Sequence, residues 1–79
     1  MIRRGHWVEG RPLTEAELEV LTAAADGLSA QETADKLFKS RHTVIAQRRT
    51  IQAKLGARNL SNAIALAYRR RVLQPPGVR

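Results

Sequence analysis

The sequence predicts an all-α fold, one small bundle-like domain of four short helices. Three observations carry this. Apolar residues recur at helical spacing in four stretches, each opened by a Ser, Thr or Asn suited to capping. Two openings, TEAE from Thr14 and SAQE from Ser29, place Glu three residues after the cap, where cap and Glu satisfy each other's free amides. No β-hairpin signal and no internal repeat interrupts the pattern. A chain of 79 residues is one domain with a modest core, so local helix signals carry much of the fold.

In the first segment, Leu18, Leu21, Ala25 and Leu28 form one apolar face, and Gly27 is the expected stop. The second runs from the Ser29 cap to about Leu37, with Thr33, Ala34 and Leu37 inward. The third has Ser40 as cap, Val44, Ile51 and Leu55 inward, and Gly56 as stop. The fourth starts near Asn59 or Ser61 and carries Leu60, Ala63, Ile64 and Ala67 ahead of Arg69-Arg70-Arg71. Only Phe38-Lys39 separate the second segment from the cap of the third, and so short a link forces a steep crossing. That is helix-turn-helix geometry, and small Ala34 suits the close approach. Residues 1–12, broken by Gly5, Gly10 and Pro12, are expected as an extended basic arm, 13–73 as the domain and 74–79 as a flexible tail. In the arm, Arg3, Arg4 and Arg11 can touch phosphate, and Trp7 either anchors the arm or stacks on a base.

Charge narrows the function. The net charge is +7, but residues 1–35 stand at −4 and residues 36–79 at +11, with no acid after Asp35. Such a division points to a polyanion facing the second half, or else to a merely soluble basic face. Cysteine is absent, which excludes disulfides and thiolate metal sites. With only His6 and His42, no catalytic triad can be assembled, and Thr14, Ser29 and Ser40 are caps rather than nucleophiles. Neither a Gly-rich phosphate loop nor a metal-ligand spacing occurs, so no enzyme, cofactor or metal is expected. The start has no signal-peptide pattern and no stretch approaches a membrane span, which implies a cytoplasmic, nucleoid-associated protein.

The third segment, SRHTVIAQRRTIQAKLG from Ser40, holds the candidate site. At about 3.6 residues per turn, Val44, Ile51 and Leu55 share one side, while His42, Ile45, Ala46 and Arg49 share the other. Such a stripe suits the floor of the DNA major groove. Arg49 can reach a guanine edge with two hydrogen bonds, Ile45 can pack on a thymine methyl, and Ala46 permits close approach. Arg41, Thr43, Gln47, Arg48 and Lys54 flank the stripe as phosphate clamps, with His42 and Arg58 as further backbone contacts. Two alternatives stand beside this reading: Ile45 joins the core next to Val44, or the Arg48 stem covers the core edge with its head in water.

The stretch from Leu13 to Leu73 resembles the LuxR/GerE-type helix-turn-helix DNA-binding domain. The matching anchors are Leu13-Thr14, Glu17, Val20-Leu21, Gly27, Ser29, Glu32, Ala34, Leu37, Ser40, Thr43-Val44, Ile51, Lys54-Leu55-Gly56, Asn59 and Ala63. The resemblance implies that the third helix reads the major groove, with Ile45, Ala46 and Arg49 at base edges. It places Thr43, Gln47, Arg48, Lys54 and Asn59 on the DNA backbone. It also implies that the fourth helix pairs two copies, for which Ile64, Ala67 and Tyr68 are the candidate interface. Several positions depart from the pattern. Ile45 and Gln47 stand where Lys and His are usual, so a target sequence cannot be carried over. Lys39 replaces an apolar turn residue, leaving Phe38 or the Lys stem to fill that space. Arg71 replaces a common Gly, which extends the expected fourth helix; its Arg69-Arg70-Arg71 end is either a phosphate contact or a set of C-terminal cations. With about a dozen residues ahead of the first helix, no sensor domain is expected in this chain.

The leading expectation is a sequence-specific regulator of transcription binding duplex DNA as a homodimer. Alternatives are a polymerase-associated module like the promoter-reading region of sigma factors, or an antagonist that pairs with a larger LuxR-type protein. RNA is a weaker expectation, because aromatics for stacking on single strands are not interleaved with the cations.

Overall fold

The computed structural model describes residues 11–74. Their elements are α1 (Glu15–Ala25), α2 (Ala30–Leu37), α3 (Arg41–Leu55) and α4 (Leu60–Arg69), with no strand among the described residues. The expected Arg3, Arg4 and Trp7 of the arm and the prolines of the tail lie outside them.

The first three helices begin at the expected caps, and α4 begins after Asn59, one of the two starts the sequence left open. Thr14 Oγ1 accepts from the Glu17 amide at 3.1 Å, and Glu17 Oε1 accepts from the Thr14 amide at 2.9 Å. Ser29 and Glu32 make the same reciprocal pair at 3.0 and 2.8 Å. Ser40 Oγ accepts from the Thr43 amide at 3.0 Å, and Asn59 Oδ1 accepts from the Asn62 amide at 2.8 Å. Each such cap is worth about 1 kcal/mol, a large contribution in helices as short as α2 with its 8 residues.

The four C-termini close by one device, a backbone amide reaching back to the carbonyl five residues earlier. The pairs are Leu28 to Ala23 at 3.0 Å, Lys39 to Ala34 at 2.9 Å, Ala57 to Gln52 at 2.8 Å and Val72 to Ala67 at 2.8 Å. This wrap needs one left-handed residue. Gly27 and Gly56 supply it at φ 91° and 67°, whereas Phe38 and Arg71 do so at φ 58° and 62° despite carrying a Cβ. Arg71 therefore ends α4 at Arg69 instead of extending it, correcting the expectation of a longer fourth helix.

The core joins Val20 and Leu21 of α1, Ala34 of α2, Val44, Ile51 and Leu55 of α3, Ala63 and Ala67 of α4, and Leu73. Periodicity identified the α3 members, and on α4 it grouped Ala63 and Ala67 with Leu60 and Ile64 without separating the core from a pairing face. On α1 it favoured Leu18 and Ala25, which are half-buried against the core, over Val20, which is fully buried. Leu73 comes from beyond α4, folded back by the wrap at Arg71. Thr33 is fully buried, and its hydroxyl has no hydrogen-bond partner among the described residues. Lys39, not Phe38, fills the turn: Lys39 is half-buried, while Phe38 is 95% exposed.

α3 packs against α1, α2 and α4, so the rest of the domain is its scaffold. Ala34, 1% exposed, lies in the core where α2 meets α3, as its small side chain suggested.

Candidate nucleic-acid interface

With Val44, Ile51 and Leu55 pinned in the core, helical geometry turns the opposite side of α3 outward. Arg41, His42, Thr43, Ala46 and Arg49 are exposed there, and Ile45 and Gln47 are half-buried. Ile45 lies outside the core cluster, so its branched side chain rims the exposed stripe. No acid occurs on α3 or anywhere after it. The outer side thus combines long cations, a methyl-sized gap at Ala46 and an apolar group, all on one rigid rod.

The N-terminus of α3 is ordered by hydroxyls. Ser40 Oγ donates to Thr43 Oγ1 at 2.9 Å while accepting from the Thr43 amide, so Thr43 is held at the helix mouth. Backbone amides and the helix dipole at this end favour an anion, and Arg41 and His42 stand beside it. Lys39 Nζ donates to Gln47 Oε1 at 3.0 Å, tying the turn to α3 and fixing which donor Gln47 presents. Sequence reasoning treated Lys39 only as a space-filler, since the spacing of 8 residues to Gln47 crosses an element boundary. At the entry to α4, Arg58 and Asn59 are exposed. The Asn59 oxygen is occupied as a cap, and the Arg58 amide donates to Asn62 Oδ1 at 3.0 Å.

Two expected phosphate clamps face inward. Lys54 is 8% exposed, and its Nζ donates to Glu17 Oε1 at 2.7 Å and to the Pro12 carbonyl at 3.2 Å. A buried ammonium committed to a carboxylate cannot reach DNA, so the assignment of Lys54 to the DNA backbone is corrected to an internal ion pair. Burial acts to raise the Glu17 pKa. The Lys54 hydrogen bond, the Thr14 amide, the Lys54 charge and the Thr14 side chain together outweigh it and hold the carboxyl below its ordinary value. Arg48 is half-buried, its Nη2 donates to the Leu28 carbonyl at 3.1 Å, and its Nε is buried without a partner among the described residues. Its head is turned from the outer stripe toward the start of α2.

The candidate pairing face is also revised. Ala67 is fully buried in the core of its own chain and has no surface for a second copy. Ile64 and Tyr68 are half-buried with part of each side chain outward, and exposed Ser61 and Ala65 lie on the same stripe of α4.

A helix-turn-helix whose second helix shows an acid-free cationic face to solvent defines the class of this domain. The chain belongs to the luxR family of bacterial regulatory proteins, whose family model matches residues 11–67. It is 38% identical over 63 residues to the uncharacterized transcriptional regulatory protein YxjL of Bacillus subtilis, and 38% identical over 63 residues to the transcriptional activator protein BjaR1 of Bradyrhizobium diazoefficiens. To the oxygen regulatory protein NreC of Staphylococcus aureus it is 36% identical over 62 residues. These alignments cover 78–80% of the chain but only 26–29% of the relatives' length. Among the described residues, no helix is long and apolar enough to cross a membrane.

Proposed function

We propose that this chain binds duplex DNA sequence-specifically and regulates transcription, laying the outer face of α3 in the major groove. The observation that carries the reading is the sidedness of α3: its apolar residues are in the core, and exposed Arg49 and Ala46 with half-buried Ile45 point away from it. In the groove, Arg49 bonds a guanine edge, Ile45 packs on a thymine methyl, and Ala46 lets the backbone approach. Arg41, His42, Thr43, Gln47, Arg58 and Asn59 hold the sugar-phosphate backbone, helped by the α3 N-terminus. Two copies pair through the Ile64 and Tyr68 stripe of α4, so that their recognition helices meet successive half-sites of an inverted repeat.

The test is selection of bound duplexes from random-sequence DNA, followed by footprinting and sedimentation on the selected duplex. The expected outcome is an inverted repeat carrying two copies, with affinity falling steeply as salt rises. One copy on a single half-site would instead favour a polymerase-associated module. Equal binding to duplex DNA and any other polyanion would end the reading.

A further inference from the structure

We propose that Arg48 and Lys54 are positioning residues. They do not touch DNA but brace α3 against the two ends of α1, at the angle where Ile45, Ala46 and Arg49 meet base edges. The inference rests on the DNA-binding reading above and concerns what sets its geometry.

The two side chains leave α3 six positions apart, about 9 Å along the helix. Arg48 reaches the Leu28 carbonyl, just past the C-terminal end of α1, at 3.1 Å. Lys54 reaches Glu17 in the first turn of α1 at 2.7 Å and the Pro12 carbonyl, just ahead of α1, at 3.2 Å. Two struts at opposite ends of one helix fix the direction of the other, which a single contact cannot do. The core beneath is small: Val20 and Leu21 of α1 and Val44 and Ile51 of α3 are buried in it, and their apolar contacts carry no directional bond. Directional polar bonds supply what methyl groups cannot.

Both residues are cations on a helix that faces a polyanion, yet both are turned away from the exposed stripe. For Lys54 this costs desolvation, repaid by a carboxylate that is itself fixed by the Thr14 amide at 2.9 Å. In Arg48, Nε stays buried without a partner among the described residues, a loss that an outward rotamer hydrated by solvent would avoid. The inward orientation is therefore held by the Leu28 bond against a local cost. A cation retained inside under those terms acts through the helix it holds.

The experiment measures binding of Arg48→Met to the duplex selected by the wild-type chain and to a scrambled duplex of equal length, each over a salt series. Met keeps the apolar stem and removes the donor. The expected result is a specific affinity lowered about tenfold, the equivalent of misreading one base pair, with scrambled binding and the salt slope unchanged. Arg48→Lys, which keeps a donor, should recover part of the specific affinity. A slope reduced by about 0.9, with both duplexes weakened alike, would make Arg48 a phosphate clamp and overturn the proposal. Unchanged binding to both by a folded variant would reduce Arg48 to a stability role and overturn it equally. A wild-type chain that does not discriminate the duplexes at all defeats the DNA reading itself, which is a separate failure. Should Arg48→Met not fold, side-chain ¹⁵N spectra of the wild type decide: addition of duplex should shift Arg49 and leave Arg48 Nε and Lys54 Nζ in place. Movement of the latter two would refute the bracing role.

Discussion

Replacing Lys54 by Met is the sharpest perturbation of this fold. Met fills most of the lysine stem's volume, so the cavity contribution is small, and the change isolates the ammonium. What remains is the Glu17 carboxylate, whose side chain is 11% exposed and still accepts from the Thr14 amide. Removing one member of a fully buried pair costs about 3–5 kcal/mol. Slight exposure and the surviving amide bond reduce this, so we expect about 2–4 kcal/mol. The total stability of a domain of 79 residues is about 4–12 kcal/mol, so this single change removes a large share of it. Urea unfolding at neutral pH measures the loss, and the double variant Glu17→Leu with Lys54→Met should recover part of it by removing the stranded charge. The pH dependence has a fixed sign. Because the folded Glu17 pKa lies below its ordinary 4.5, the pair's contribution is complete above that pH and is lost as the pH falls through the folded value. The gap between wild type and Lys54→Met should therefore narrow in acid. A variant within about 0.5 kcal/mol of wild type at neutral pH, with an unaltered acid limb, would refute the ion pair as a structural element.

Other outcomes follow from single residues. Phe38→Gly and Arg71→Gly should each raise stability by about 0.5–1 kcal/mol, because the left-handed strain relieved exceeds the entropy glycine adds to the unfolded chain; thermal unfolding reads this directly. Exposure of Phe38 at 95% means that its removal sacrifices no packing. Thr33→Val, which replaces the unpartnered buried hydroxyl by a methyl of equal shape, should stabilise by about 1 kcal/mol in urea titrations. Arg49→Ala should weaken binding to the selected duplex by about 1–3 kcal/mol and relax preference at one base pair per half-site, checked by repeating the selection with the variant. Uniform weakening on all duplexes would instead assign Arg49 to a phosphate.

The helix starts at Thr14, Ser29 and Ser40 and the turn between α2 and α3 were legible in the amino-acid order, with the fourth start narrowed to Asn59 or Ser61, as was the sidedness of α3 that exposes Arg49 and Ala46. These depend on interactions within three or four residues or on the helical period, and both are written in local spacing. The fates of Lys54, Arg48 and Ala67 were not legible. A lysine at the same position on the wheel can point to water or to a carboxylate 37 residues earlier, and nothing within a turn of the helix distinguishes the two. Arg48 depends likewise on a carbonyl 20 residues away, and the burial of Ala67 on where α4 crosses the bundle. The positive charge follows from composition and its asymmetry from the order of the residues, with every acid before residue 36. Which of those charges face outward was decided by tertiary packing, because only the folded chain brings Glu17, Pro12 and Leu28 within hydrogen-bond reach of α3 and so leaves Arg41, Arg49 and Arg58 exposed.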